Sequence, residues 1–173
     1  MTPEDSEAIF SLVHVPQAER DGAMAKIVKR FGETDGRTLG LRLLREAIDQ
    51  QYGDGLVAAS VVAGSFGFDA EHFDILIRVA TAEWHTDHEN IATTLASYRD
   101  IRALPTLVKL ATWIPQHEEG DDIRALAVKA IWGIGNLPGS EAEDALRDLT
   151  HDEDKVVREA AEYQLVRRAK QAG

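Results

Sequence analysis

Two of the six histidines lie three residues apart, in His85-Thr86-Asp87-His88-Glu89. Imidazoles and carboxylates at such spacing are the usual ligands of a divalent metal, and His85 and His88 are the only histidine pair close enough in sequence to begin a site. A metal centre would need two or three more converging ligands. The remaining histidines, among them His72, His117 and His151, stand alone. The pair is not the His-Glu-x-x-His zinc helix either, because the glutamate lies outside it. The same five residues also read as a helix start: Thr86-x-x-Glu89 fits a capping box, in which the Thr86 hydroxyl accepts from the amide of residue 89 and Glu89 reaches back. Ser140-x-x-Glu143 repeats the pattern. We therefore expect no resident metal or cofactor, with His85 and His88 as the residues that would hold a metal if there were one.

Other chemistries find less. There is no Gly-x-Ser-x-Gly, and Ser60 and Ser65 sit in apolar helical pattern. Gly64-x-x-Gly67 and Gly133-x-Gly135 lack the strand that a nucleotide loop requires. No catalytic residue is expected, and the chain reads as a non-enzyme.

Charge narrows the partners. Lys and Arg number 19 against 30 Asp and Glu, a formal charge of −11. Such a surface repels nucleic-acid phosphates and attracts a basic protein. The chain has no cysteine, which removes disulfides and thiolate zinc sites and fits a reducing compartment. The start, MTPEDSEAIF, lacks the basic and apolar regions of a signal peptide, and no apolar run approaches bilayer length. The expectation is a cytoplasmic protein that neither spans nor binds a membrane, of open oligomeric state.

The elements that must position these residues are helices throughout. Apolar residues recur at helical spacing along nearly the whole chain, in about ten segments, and no strand pattern appears. Val57 to Gly64, though β-branched in part, lacks alternation and reads as helix. Tyr52-Gly53-Asp54-Gly55 reads as a turn, and Gly135-Asn136 as a helix stop. Connections are short, apart from the polar loop of residues 115–121.

The helices repeat. With His88, Arg124 and Arg158 in register, the positions three further on are Ile91, Ala127 and Ala161, and those seven further on are Leu95, Ile131 and Leu165. The offsets are 36 and 34 residues, a period that fits two stacked helices per unit. The run NLPGSEAEDALRDLTHDEDKVVREAAEYQL, residues 136–165, resembles a HEAT repeat. It has a glycine turn, a first helix ending in Leu-x-x-Leu, an acidic turn, and Val-Arg-x-x-Ala opening the second helix. Ile101-Arg102-Ala103-Leu104-Pro105-x-Leu107 and Ile123-Arg124-x-x-Ala127 are similar to the two halves of another copy. The resemblance covers roughly residues 84–170, weakens over 36–83 and fades before that. It departs from the pattern at His88, where a typical repeat has arginine, and in the 115–121 loop.

This resemblance implies an all-α fold: a right-handed α-solenoid of about five antiparallel helix hairpins in a single domain over residues 1–173. Residues 1–35 would cap the stack and 36–173 would form the repeats. It implies that Arg124 and Arg158 tie one unit to the turn of the next. It also implies a non-catalytic protein-binding module that works through its concave face, since small bacterial proteins similar to this one are often adaptors or immunity-type inhibitors. The alternatives are a chaperone or lyase-like factor for a chromophore protein, or a metal-binding protein using His85 and His88. If positions three, seven and ten of each unit face the core, then one, five and eight face outward. The candidate partner-binding residues on that face are Glu89, Asn90, Thr93, Lys129, Trp132, Glu159 and Tyr163, and Asp87, Glu118, Glu119, Asp121 and Asp122 would form an acidic rim. Arg167-Arg168-x-Lys170 reads as a helix end complementing its own dipole.

Overall fold

The computed structural model describes residues 1–116 and 124–172. Among these, every regular element is helical. The helices are α1 (Pro3–Phe10), α2 (Gln17–Arg30), α3 (Gly36–Gln50), α4 (Gly53–Phe66), α5 (Ala70–Val79), α6 (His88–Ser97), α7 (Leu104–Thr112), α8 (Ala125–Asn136), α9 (Ser140–Leu149) and α10 (Lys155–Ala172). Short 3-10 turns occupy Ser11–His14 and Ile101–Ala103. No helix among the described residues is long and apolar enough to cross a membrane.

The helix starts follow capping chemistry. Thr2 and Asp5 form a reciprocal box ahead of α1, with Asp5 N donating to Thr2 Oγ1 at 3.2 Å, and Pro3 in the first turn. Asp35 caps α3, where Thr38 N donates to its carboxylate at 2.7 Å. Asp100 accepts from Arg102 N at 2.9 Å ahead of α7. The other two boxes expected from sequence are displaced. α6 begins at His88, so Asp87 rather than Thr86 occupies the position before it. α9 begins at Ser140 itself, after Gly139 with φ 91°, and no side chain caps it.

Two punctuation signals also resolve differently. Gly53 opens α4 instead of ending α3, and the chain reverses at Gln51, which takes the left-handed conformation with φ 49°. Gly135 and Asn136 form the last two residues of α8 rather than following it, and Leu137 is its C-cap. A glycine within a helix weakens it but lets a neighbour approach closely, and here packing prevails. Val57 to Gly64 is helical, as its pattern suggests. Val13, counted with the first helix, falls in the 3-10 turn and is exposed.

The helices gather into two compact units, Met1–Ile75 with Trp84–Asp87, and Leu76–Glu83 with His88–Gly173. In the first, α3 and α4 make the most extensive helix pair among the described residues, and α1 packs on α4. Leu39, Leu43, Leu44, Leu56, Val62 and Phe73 are buried there. The close approach is set by Gly40, where a Cβ would stand 3.0 Å from Ala63 Cα. In the second unit α6, α8 and α10 lie in a row, with α8 packed against both of its neighbours. α7 packs on α8 and α9 on α10. Ile91, Leu95, Leu107, Ile131, Ile134, Leu146 and Val157 are buried there.

Gly40→Ala should lower the unfolding free energy by roughly 1–3 kcal/mol, because the α4 backbone blocks the added methyl. Gly22→Ala, at an α2 position with open space around it, should be neutral or stabilising by roughly 0.5–1 kcal/mol. Paired thermal melts would show the contrast, and equal melts for the two variants would contradict the close α3–α4 approach.

The caps also carry a pH signature. The Thr38 backbone and hydroxyl bonds hold Asp35 below the usual carboxylate range. The His72 ring does the same for Asp69, and the Arg102 side chain for Asp100. A carboxyl whose folded pKa is depressed stabilises the fold above its unfolded value of about 3.9 and loses that contribution as pH falls through the folded value. Melting temperature should therefore drop steeply below about pH 4. Asp35→Asn, which keeps the capping oxygen, should show a shallower acid limb in the same melts.

Candidate binding face

The row of α6, α8 and α10 presents one face outward. In α8 Leu126, Ala127, Ala130, Ile131, Gly133, Ile134 and Gly135 are buried, and Lys129 and Trp132 are left outside. In α10 Val157, Ala161 and Gln164 are buried, which turns Glu159 and Tyr163 outward. In α6 Ile91, Ala92 and Leu95 are buried, while Asn90 and Thr93 are exposed and Glu89 is half-buried. Seven of the residues expected on this face therefore lie on three neighbouring helices.

Its contacts run across the row. Lys129 Nζ meets Glu89 Oε2 at 2.5 Å, joining α8 to α6. Trp132 stacks on Tyr163 with ring centroids 5.5 Å apart and planes 25° from parallel, joining α8 to α10. The Arg167 guanidinium stands 5.4 Å from the Trp132 ring centre. Yet Trp132 remains 42% exposed and Tyr163 55%. Such a stack contributes about 0.5–1.5 kcal/mol and leaves two large amphipathic rings at the surface. Beside Trp132 runs an open groove of about 460 Å³, walled by Thr93, Ala96, Ser97, Lys129 and Asn136, with Gly133 at its base. A Cβ on Gly133 would sit 3.1 Å from Ala96 Cβ, so the glycine sets how near α6 and α8 come. Glu159 pairs along its own helix with Lys155 at 3.4 Å.

The acidic rim divides. Asp87 is only 4% exposed, so it offers no surface to a partner: it occupies the helix-start position and belongs to the first unit. Glu118, Glu119, Asp121 and Asp122 lie outside the described residues, as does His117. Glu71 pairs with Arg45.

The two histidines have structural surroundings. His88 is buried, with Nδ1 3.0 Å from the Ala80 carbonyl and its ring edge-on to Trp113 at 4.9 Å. His85 is buried edge-on to Trp84, and its Nδ1 accepts from Asp87 N at 3.1 Å. No group of three or more His, Asp or Glu able to hold a metal occurs among the described residues. His72, buried, pairs through Nδ1 with Asp69 at 2.8 Å.

Arg124 links the end of α7 to the turn before α10. Its Nε meets Asp154 Oδ2 at 2.7 Å in the turn before α10, and it donates to the Ala111 carbonyl at 3.2 Å at the end of α7. Arg158 donates to the carbonyls of Asp152 and Glu153 in the turn that precedes its own helix. Arg168 differs from its sequence reading. It donates to the carbonyls of Gly135, Leu137 and Gly139, so it satisfies the end of α8 and not that of α10. Leu165, expected in the core, is half-buried and lines a second cavity with Arg168. Sequence reasoning missed this arginine cluster. A signal was present in the arginine at position ten of the last repeat, where Ile134 fills the one before.

Comparison of the chain with protein-family models, curated proteins and solved structures returned no match.

Arg124→Met should cost about 0.5–1.5 kcal/mol, since it removes a partly exposed ion pair and leaves the Ala111 carbonyl without that donor. Urea unfolding at neutral pH measures this. A change below about 0.3 kcal/mol would mean that the Asp154 pair is incidental.

Proposed function

We propose that the protein is a non-catalytic protein-binding module of HEAT-like, right-handed α-solenoid build, and that it docks a basic partner protein on the α6–α8–α10 face. The observation that carries this is the half-exposed Trp132–Tyr163 stack beside the groove between α6 and α8. Tyr and Trp are the residue types most enriched at interface hot spots, and a groove flanked by them accepts a partner's side chain. The formal charge of −11 supports a basic partner, which long-range attraction would bring to the surface before the rings engage. On this reading the role is that of an adaptor or an immunity-type inhibitor. Arg124, placed between α7 and the turn before α10, supports a repeat architecture, because one side chain links successive hairpins.

The same apolar groove favours one alternative, a chaperone or lyase-like factor that shelters part of a chromophore protein. Its occupant would be apolar and its binding insensitive to salt, whereas a basic partner's binding would weaken as salt rises.

The test is comparative capture from native lysate, with the wild-type chain and the Trp132→Ala/Tyr163→Ala double variant as baits at low and moderate salt. A basic protein retained by the wild type and lost by at least about tenfold with the variant would support the proposal, because removing two hot-spot rings costs at least about 1.4 kcal/mol. Equal retention by the two baits, both shown folded by circular dichroism, would remove this face from the binding mechanism.

A further inference from the structure

The end of α8 carries the opposite charge from the chain as a whole. A cavity of about 510 Å³ opens there against the last turns of α10. Arg99, Arg167 and Arg168 all line it, together with Asn136 and Leu137. Three guanidinium groups around one cavity are unexpected in a chain with 30 acidic residues.

Their partners make the cluster more unusual. Several other arginines meet carboxylates: Arg30 meets Asp5, Arg42 meets Glu33 and Glu46, Arg45 meets Glu71, and Arg124 meets Asp154. Among the described residues the cavity arginines have no carboxylate partner. Arg167 donates to Gln164 Oε1 at 3.0 Å and to Asn136 Oδ1, both neutral. Arg168 donates only to backbone carbonyls. The Arg99 guanidinium makes no hydrogen bond or ion pair among the described residues. The nearby acids are engaged elsewhere: Asp100 is held by Arg102 at 2.7 Å, and Glu143, which lines the cavity, is held by Arg147.

The donors are not exhausted. A guanidinium carries five N–H groups. Arg168 uses three of its own and Arg167 two. Arg99 adds a conformational argument. Its φ is 53°, a left-handed backbone that glycine or asparagine adopts at lower cost. An arginine occupies a position whose backbone favours glycine or asparagine.

We infer that this cavity is an oxyanion site and that its ligand is a small soluble phosphate ester. Guanidinium forks match phosphate oxygens with paired, charge-assisted hydrogen bonds. Three such groups suit a dianion better than a single carboxylate. The volume falls within the usual range for small-molecule sites. The site lies apart from the Trp132 groove in its lining, with Asn136 common to both. Arg167 also stands over the Trp132 ring, so the two proposals are told apart through Arg99, which lines this cavity and not the groove.

The test uses the full chain, ¹⁵N-labelled, titrated with inorganic phosphate, inorganic pyrophosphate or succinate against sodium chloride of matched ionic strength. Phosphate and pyrophosphate should shift the amides of Arg99, Leu137 and Arg168 in a saturable manner, with pyrophosphate the tighter, and succinate should bind more weakly than either. Arg99→Gly should weaken pyrophosphate about tenfold, since it removes one charge-assisted contact. Its melting temperature should equal or exceed that of the wild type, because the backbone strain is relieved. Arg99→Lys, which keeps the charge, should recover part of the affinity. The inference is overturned if the wild type shows no saturable shift, if sodium chloride reproduces the shifts, if succinate matches phosphate, or if Arg99→Gly binds pyrophosphate as the wild type does.

Discussion

Helix α8 is packed from both sides, and its two glycines make that possible. A Cβ at Gly133 would press against Ala96 and Leu107, at 3.1 and 3.2 Å, and one at Gly135 would overlap Gln164, at 2.2 Å from Oε1. With hydrogen in both places, α6 and α7 close on one flank and α10 on the other. Trp132 precedes the first glycine and so projects between α6 and α10, where no neighbour covers it fully. The groove, the aromatic stack and the arginine cavity all follow from that arrangement. The cost is reduced intrinsic helix propensity, which burial of Ile131 and Ile134 offsets.

Charge is distributed by the same geometry. The acidic excess is placed where helix physics wants it: Asp35, Asp69, Asp100 and Asp154 satisfy amides at helix starts. Those carboxylates are committed locally and add little to recognition beyond long-range attraction. Two groups of arginines contrast. Arg124 and Arg158 hold turns, and each has an oxygen partner within its reach. Arg99, Arg167 and Arg168 converge where the carbonyls at the end of α8 need donors, and one arginine would suffice for those carbonyls. The surplus at that point is a local exception to the acidic character of the chain, and composition averaged over 173 residues hides it.

The periodic apolar pattern made the helices legible, because burial of one stripe is a local property of each segment. Lys129, Trp132, Glu159 and Tyr163 were placed outward for the same reason. Helix boundaries were less legible. Thr86-x-x-Glu89 and Ser140-x-x-Glu143 both satisfy the capping pattern, but the chain enters each helix elsewhere, while Thr2-x-x-Asp5 caps α1 with a shorter acid. Gly135-Asn136 carries two contradictory local meanings, helix stop and close-packing site, and only the position of α10 decides between them. Asp87 shows the limit from another side: acid residues beside a histidine suggest a surface, whereas its burial depends on the fold around it. Arg168 spans about thirty residues of sequence to reach the α8 carbonyls, a distance over which no periodicity argument operates.

Equivalent positions of the sequence register carry different residues in α8 and α10. Position ten of the α8 repeat is Ile134, buried between helices on both sides. The matching position in α10 is Arg168, at the last helix among the described residues. The long Arg168 side chain folds back and satisfies the open end of α8. The arginine cavity therefore arises where the carbonyls at the end of α8 already demand donors, and Arg99 and Arg167 nearby make it a concentrated positive site.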